Sequence, residues 1–155
     1  MRRSDREIKG RVEIFEIIEK ADVCRLAFSD GNVPYIVAMN FGFDMNEPAT
    51  LYFHCANEGK KLDIMARNNI VCFQVDVDRE LVNTEHACGW GMKYRSVVGM
   101  GKAELVLDEN EKIKALNLIM KHYSGVASYT YDAKEFKVTT IFKVVLSELS
   151  GKKKG

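Results

Sequence analysis

The stretch VCRLAFSDGNVPYIVAMNF, Val23 to Phe41, decides the fold. Two apolar runs flank Ser29-Asp30-Gly31-Asn32, and that quartet is turn chemistry. A turn this short joins antiparallel neighbours, because parallel strands need a long crossover. Pro34 follows directly and lacks a backbone N–H, which suits a strand at a sheet edge. Working outward, FDMNEPA (Phe43 to Ala49) reads as a second turn and TLYFHC (Thr50 to Cys55) as a third strand. In IVCFQVDVD, Val71, Phe73, Val75 and Val77 alternate with more polar neighbours, the period of a half-buried strand. YRSVVGMGKAELVL (Tyr94 to Leu107) reads as a long strand whose Gly99 and Gly101 mark a bulge or a close backbone approach. TTIFKVVLSEL (Thr139 to Leu149) is the last strand.

Helical signals interrupt these strands. Ser4 and Glu7 have capping-box spacing, and Ile8, Val12, Phe15, Ile14, Ile17 and Ile18 follow at helical intervals, so a helix is expected from Asp5 to Lys20. Asn57 is the expected N-cap of a short helix carrying Leu62, Ile64, Met65 and Ala66, closed by Asn68-Asn69. Asp108 and Glu111 open another helix, with Ile113, Leu116, Met120 and Tyr123 as its expected inner stripe and Gly125 just past its end. The order lacks the regular alternation of a doubly wound sheet. No G-x-G-x-x-G follows a strand, and no Walker A sequence occurs. The expectation is a mainly β domain with flanking helices, its antiparallel sheet closing into a barrel to avoid bare edges.

Composition narrows the function classes. The 155 residues suit one domain, 46% are hydrophobic and 29% charged, and the formal net charge is +1. So small a net charge argues against a dedicated nucleic-acid binder. No signal-peptide pattern opens the chain and no run reaches the length of a membrane span, so the expected setting is cytoplasmic. Residues 1–150 are read as the single domain and 151–155, GKKKG, as a solvated basic tail. Cys24, Cys55, Cys72 and Cys88 form no CxxC pair, and the His54-Cys55 and His86-Ala87-Cys88 pairs match no zinc spacing, so no metal is expected.

Gly59-Lys60-Lys61 stands apart. The start of a helix carries free N–H groups and a partial positive charge, which attract anions. Acidic residues belong there, and two lysines break the rule. They read either as an anion cradle or as the wet side of a surface helix.

The segments VPYIVAMNF, LYFHCANEGKKLDIMARNNIVCFQVD, YRSVVGMGKAEL and IMKHYSG, in this order, resemble the FMN-binding split-barrel family related to pyridoxamine 5′-phosphate oxidase. The resemblance is strongest to the branch of the 5-nitroimidazole-resistance (Nim) proteins and runs over nearly the whole chain. It implies a six-stranded antiparallel split barrel that forms a homodimer with FMN at the interface. It implies that Lys60 and Lys61 hold the FMN phosphate, with Gly59 allowing close approach. Tyr35, Ile36, Val37 and Ala38 would flank the flavin ring from one strand, and Phe53, His54 and Ala56 from the next. Tyr94, Arg95 and Ser96 would touch the phosphate or the ring edge, Arg95 as a second phosphate cation. His54 is the candidate proton donor to a reducing substrate. The implied activity is an FMN-dependent oxidoreductase acting on a small acceptor such as a nitroaromatic or a quinone, with NAD(P)H docking in the open pocket. Strand residues of this kind are by default core or half-buried sheet positions, and a histidine at a strand end is often structural. The last strand carries neither the Arg nor the His with which pyridoxamine phosphate oxidases proper handle their substrate, so that oxidation is not expected. The other class open to the chain is a non-enzymatic haem or flavin binder, with His54 or His86 as the candidate axial ligand. His122 falls on the outer or end part of its helix, with no partner evident in the sequence.

Overall fold

The computed structural model describes residues 3–155. The hairpin forms as expected. β2 (Cys24–Asp30) and β3 (Val33–Met39) pair antiparallel from Asp30↔Val33 to Cys24↔Met39. Gly31 takes φ +61° in the two-residue loop, a conformation glycine enters without a Cβ clash. β3 ends the sheet, so Pro34 sits on an edge strand.

The other strands are β1 (Glu7–Ile8), β4 (Gly42–Asp44), β5 (Thr50–Ala56), β6 (Ile70–Val82), β7 (Gly91–Leu105) and β8 (Thr139–Lys154). They run in the order β3-β2-β6-β7-β8-β5-β4, with β1 paired to β8. Every pairing is antiparallel. The sheet has 8 strands where six were expected, and the additions are the two shortest, β1 and β4. The class is as read: an antiparallel sheet with flanking helices, here α1 (Arg11–Lys20), α2 (Lys60–Arg67), α3 (Glu109–Ser124) and α4 (Ala133–Val138). None of the helices among the described residues is long and apolar enough to cross a membrane.

The alternation read in β6 holds, with Val71, Phe73, Val75 and Val77 all buried. They join Leu26, Leu51, Phe53, Val97, Phe142 and the α1 residues Ile14, Ile17 and Ile18 in the main core. Gly99 and Gly101 serve a close strand approach. A Cβ at Gly99 would lie 2.8 Å from the Glu148 carbonyl oxygen, and one at Gly101 would lie 2.5 Å from that of Val145. The register slips between Met100 and Gly101, as a bulge requires.

Four expectations are corrected. The first helix starts at Arg11 behind Gly10, not at Asp5. Ser4–Arg6 make one 3-10 turn, and Glu7 and Ile8 pair instead with Lys152 and Gly151, which buries Ile8 in the core. The N-cap of α2 is Gly59, and the Asn57 amide oxygen accepts the Thr140 hydroxyl at 2.7 Å instead. On α3 the buried residues are Ala115 and Ile119, while Ile113 and Tyr123 are each 41% exposed. The face is turned because α3 lies on the backbone of β4: a Cβ on Gly42 would meet the Ile119 nitrogen at 2.6 Å. Lastly, Gly151 to Lys154 form no solvated tail. They close β8 against β7, with Lys154 opposite Tyr94, and the Lys153 ammonium reaches Glu13 of α1 at 3.1 Å.

Candidate flavin groove at the start of helix α2

α2 begins where β5 leaves the sheet. Gly59 sits at φ +139° and ψ 159°, backbone open essentially to glycine alone. This kink places the Gly59 carbonyl to accept from the N–H of Leu62 at 2.9 Å and of Asp63 at 3.3 Å. The N–H groups of Lys60 and Lys61 have no partner among the described residues, and no side chain caps the helix. Helix starts of this kind receive anions.

The two lysines point to different places. Lys60 leans toward the β2–β3 turn, 3.8 Å from the Asp30 carboxylate and 5.0 Å over the Tyr35 ring. Asp30 also takes Arg67 from the last turn of α2 at 2.7 Å. Lys61 lines a groove of about 460 Å³ with Val37, Ala38, His54, Cys55 and Ala56, and Thr139 of β8 closes its far side. Lys61 is half-buried and makes no ion pair among the described residues. Burial pushes the Cys55 thiol above its ordinary range, opposed by the nearby Lys61 charge.

Strand alternation sorts the remaining candidates. His54 and Ala56 are exposed on β5, while Phe53, the residue before His54, is fully buried, its ring stacked 5.1 Å from that of Phe142. The Phe53 side chain therefore belongs to the core and not to the groove. On β3, Tyr35 and Val37 pack partly against the core, and Ile36 (63% exposed) and Ala38 face outward. Tyr94, Arg95 and Ser96 lie near the start of β7 and are not among the residues that line the groove. There the Arg95 guanidinium donates to Asp78 at 2.6 Å, beside Lys20 at 2.5 Å. Lys20 first, then Arg95, hold the Asp78 carboxyl below its usual range. Tyr94 lies under Lys152 at 5.9 Å, and the Ser96 hydroxyl contacts the Lys152 carbonyl at 3.5 Å. Within one chain these three residues do not join the groove.

His122 proves to be a structural residue that sequence reading left on the outside. Its Nε2 is 2.8 Å from the Ala21 carbonyl oxygen, and its ring packs 4.5 Å from that of Phe41. Sequence reading missed Cys55, Val138 and Thr139 as groove residues. Cys55 follows a site histidine directly, which is a signal. Thr139 enters only because β8 pairs it with Ala56, which local sequence cannot reveal.

The pyridoxamine 5′-phosphate oxidase family model matches residues 10–153. A solved protein from Bacteroides thetaiotaomicron, assigned to 5-nitroimidazole antibiotic resistance, is 33% identical over 94% of this chain and 85% of its own, with a TM-score of 0.82. A flavocytochrome from Azotobacter vinelandii matches at 19% identity over 100% of this chain and 72% of its own, with a TM-score of 0.82. A protein from Mycobacterium smegmatis that binds FAD and haem matches at 15% identity over 97% and 74%, with a TM-score of 0.83. At those last two identities the likeness is one of fold. Among curated proteins nothing matches. The family match spans nearly the whole chain and the nitroimidazole-resistance likeness agrees with it, so this chain belongs to the pyridoxamine 5′-phosphate oxidase-related split-barrel family.

Proposed function

We propose that the chain is a flavoprotein that binds FMN and reduces a small acceptor such as a nitroaromatic or a quinone. The observation that carries this reading is the start of α2. Lys61, half-buried and without an ion pair among the described residues, lines the groove. It lies just after the glycine-only kink, at the helix start whose N–H groups have no partner among the described residues. Apart from His54, Cys55 and Thr139 the rest of the lining is apolar. The donor set fits a phosphate: two N–H groups and an ammonium. Val37, Ala38 and Ala56 supply apolar lining for a planar ring system. Relatives of the same fold that bind FAD, or flavin with haem, support the class of ligand.

When bound, FMN would supply electron or hydride transfer to the acceptor. The chain's own residues hold and orient it. Lys61 and the α2 N–H groups fix the phosphate end. Val37, Ala38 and Ala56 exclude water from one side of the ring. His54, exposed at the groove wall, holds a ring nitrogen from which a proton can pass to the acceptor. A nicotinamide nucleotide, as reductant, docks in the same open groove. We further propose that two copies of the chain pair, so that Tyr94, Arg95 and Ser96 of one reach the groove of the other.

Absorption of the purified protein tests the reading. A flavin spectrum with release of FMN on denaturation is the expected result. A sharp Soret band would transfer the groove to haem, with His54 as the candidate ligand. A colourless protein that takes up no added FMN would overturn both.

A further inference from the structure

A second cavity, of about 300 Å³, lies behind His54. Its floor is Leu116, Ile119 and Met120 on the inner side of α3. Its roof is Tyr131 and Phe136, from the strap that leads into α4 and from α4 itself. The strap is tied to α3 by the Tyr131 hydroxyl donating to Asn117 at 2.8 Å and the Tyr129 hydroxyl donating to Ser124 at 2.9 Å. His54 and Thr139 line this chamber and the proposed flavin groove alike, so the two spaces share a wall.

We propose that this chamber binds the small acceptor, and that it selects a planar aromatic compound carrying an amino group or a protonated ring nitrogen. Its role as the acceptor site rests on the flavin reading above; its binding preference does not. Size sets the first limit. A cavity of about 150 Å³ holds benzene, so this one admits a substituted single ring or a small bicycle. The walls are aliphatic, thioether and aromatic, which suits a flat ring. Charge sets the second limit. Apart from His54 and the Tyr131 phenol, the titratable side chains that line the chamber are the carboxylates of Asp132 and Glu135. Asp132 accepts the N–H groups of Lys134 and Glu135 at the start of α4, and Glu135 makes no ion pair among the described residues. Lys112 approaches from outside, 5.8 Å over the Phe136 ring, and does not line the chamber. A carboxylate or phosphate on the ligand would meet Asp132 and Glu135 with like charge; an ammonium would meet them with opposite charge.

Isotope-labelled protein titrated with phenethylammonium, and separately with phenylpropionate, tests this. Phenethylammonium should shift the resonances of Ile119, Met120 and Phe136, and phenylpropionate should bind at least tenfold more weakly. Met120→Trp, which fills the chamber, should abolish the shifts while FMN titrates as in the parent. Glu135→Gln, on the exposed side of α4, should narrow the tenfold preference and remain informative if the tryptophan variant misfolds. Equal binding of the two compounds, or shifts that persist unchanged in Met120→Trp, would overturn the proposal. Loss of FMN binding in the parent protein with the phenethylammonium shifts intact would instead sink only the flavin reading.

Discussion

At the scale of single residues, Gly59 and Lys61 carry the proposed site. Gly59 faces open space, and a Cβ there would meet nothing within 4 Å. A steric argument would therefore allow alanine. The backbone argument forbids it, because φ +139° with ψ 159° is strained for any L side chain. Gly59→Ala should cost about 1–3 kcal/mol of stability or displace the start of α2, read as a lowered midpoint in urea denaturation. Lys61 makes the complementary case. It opposes the helix dipole and makes no ion pair among the described residues, so Lys61→Ala should leave stability within about 0.5 kcal/mol of the parent. It should weaken FMN by about 1.5–3 kcal/mol, roughly tenfold to a hundredfold, and riboflavin far less, because riboflavin lacks the phosphate. Equal losses for the two ligands would return Lys61 to the wet side of a helix. Lys60, already drawn to Asp30 and Tyr35, should show a smaller difference between the ligands. The glycine-lysine motif was legible in the sequence, but the division of labour between its lysines was not. It depends on Asp30, a residue of the hairpin turn that packs beside α2 only in three dimensions.

At the scale of elements, local signals succeeded where a cap or a strict period operates without a distant partner. Asp108 accepts the Glu111 N–H at 2.8 Å, and Gly125 ends α3 at φ +75°, both as the spacing predicts. The alternation of β6 and the bulge beside Gly101 were equally plain. The first helix failed for a physical reason. Ser4 and Glu7 have capping-box spacing, but Ile8 gains more by pairing with Gly151 and entering the core than by opening a helix. The partner lies at the far end of the chain, beyond the reach of any local pattern. The two would-be caps should accordingly behave differently. Asp108→Ala removes a cap hydrogen bond and should destabilise by about 1 kcal/mol. Ser4→Ala removes none and should be neutral, although Ser4 and Glu7 have capping-box spacing. Thermal melts of the two variants decide between the pattern and the pairing. Phe53 shows the same limit in β5. The segment predicts that Phe53 and His54 point to opposite faces, but not which face is the core.

At the scale of the whole molecule, the antiparallel class was legible from one hairpin, and the strand order was not. β8 is the element that organises the sheet, pairing with β1, β5 and β7, and its last residues were expected to be a tail. Pairing within the chain also leaves apolar strand residues in solvent: Ile36 is 63% exposed, Leu105 51%, Ile70 44%, Val98 43% and Met92 42%. These are spread along the sheet from its β3 edge across β6 and β7. The groove points the same way. Lys61 and His54 border it from one chain, and Tyr94, Arg95 and Ser96 of β7 are not among its lining in that chain. The two-fold pair proposed above would reconcile both facts. In such an isologous interface the start of one β7 would meet the groove of the other copy, and the exposed apolar residues would be covered together. Sedimentation should therefore report about twice the chain mass of 17.6 kDa. Arg95→Ala should weaken FMN while the pair stays intact, because its partner Asp78, which also takes Lys20, lies at the surface and surface ion pairs add little to stability. In mixtures of Arg95→Ala with Lys61→Ala, a shared site gives a definite ratio. Mixed pairs would carry one groove with both substitutions and one with neither, so a random mixture recovers about one quarter of the grooves at parent affinity. No recovery in the mixture, or a monomer that binds FMN as tightly as the parent, would confine each groove to its own chain.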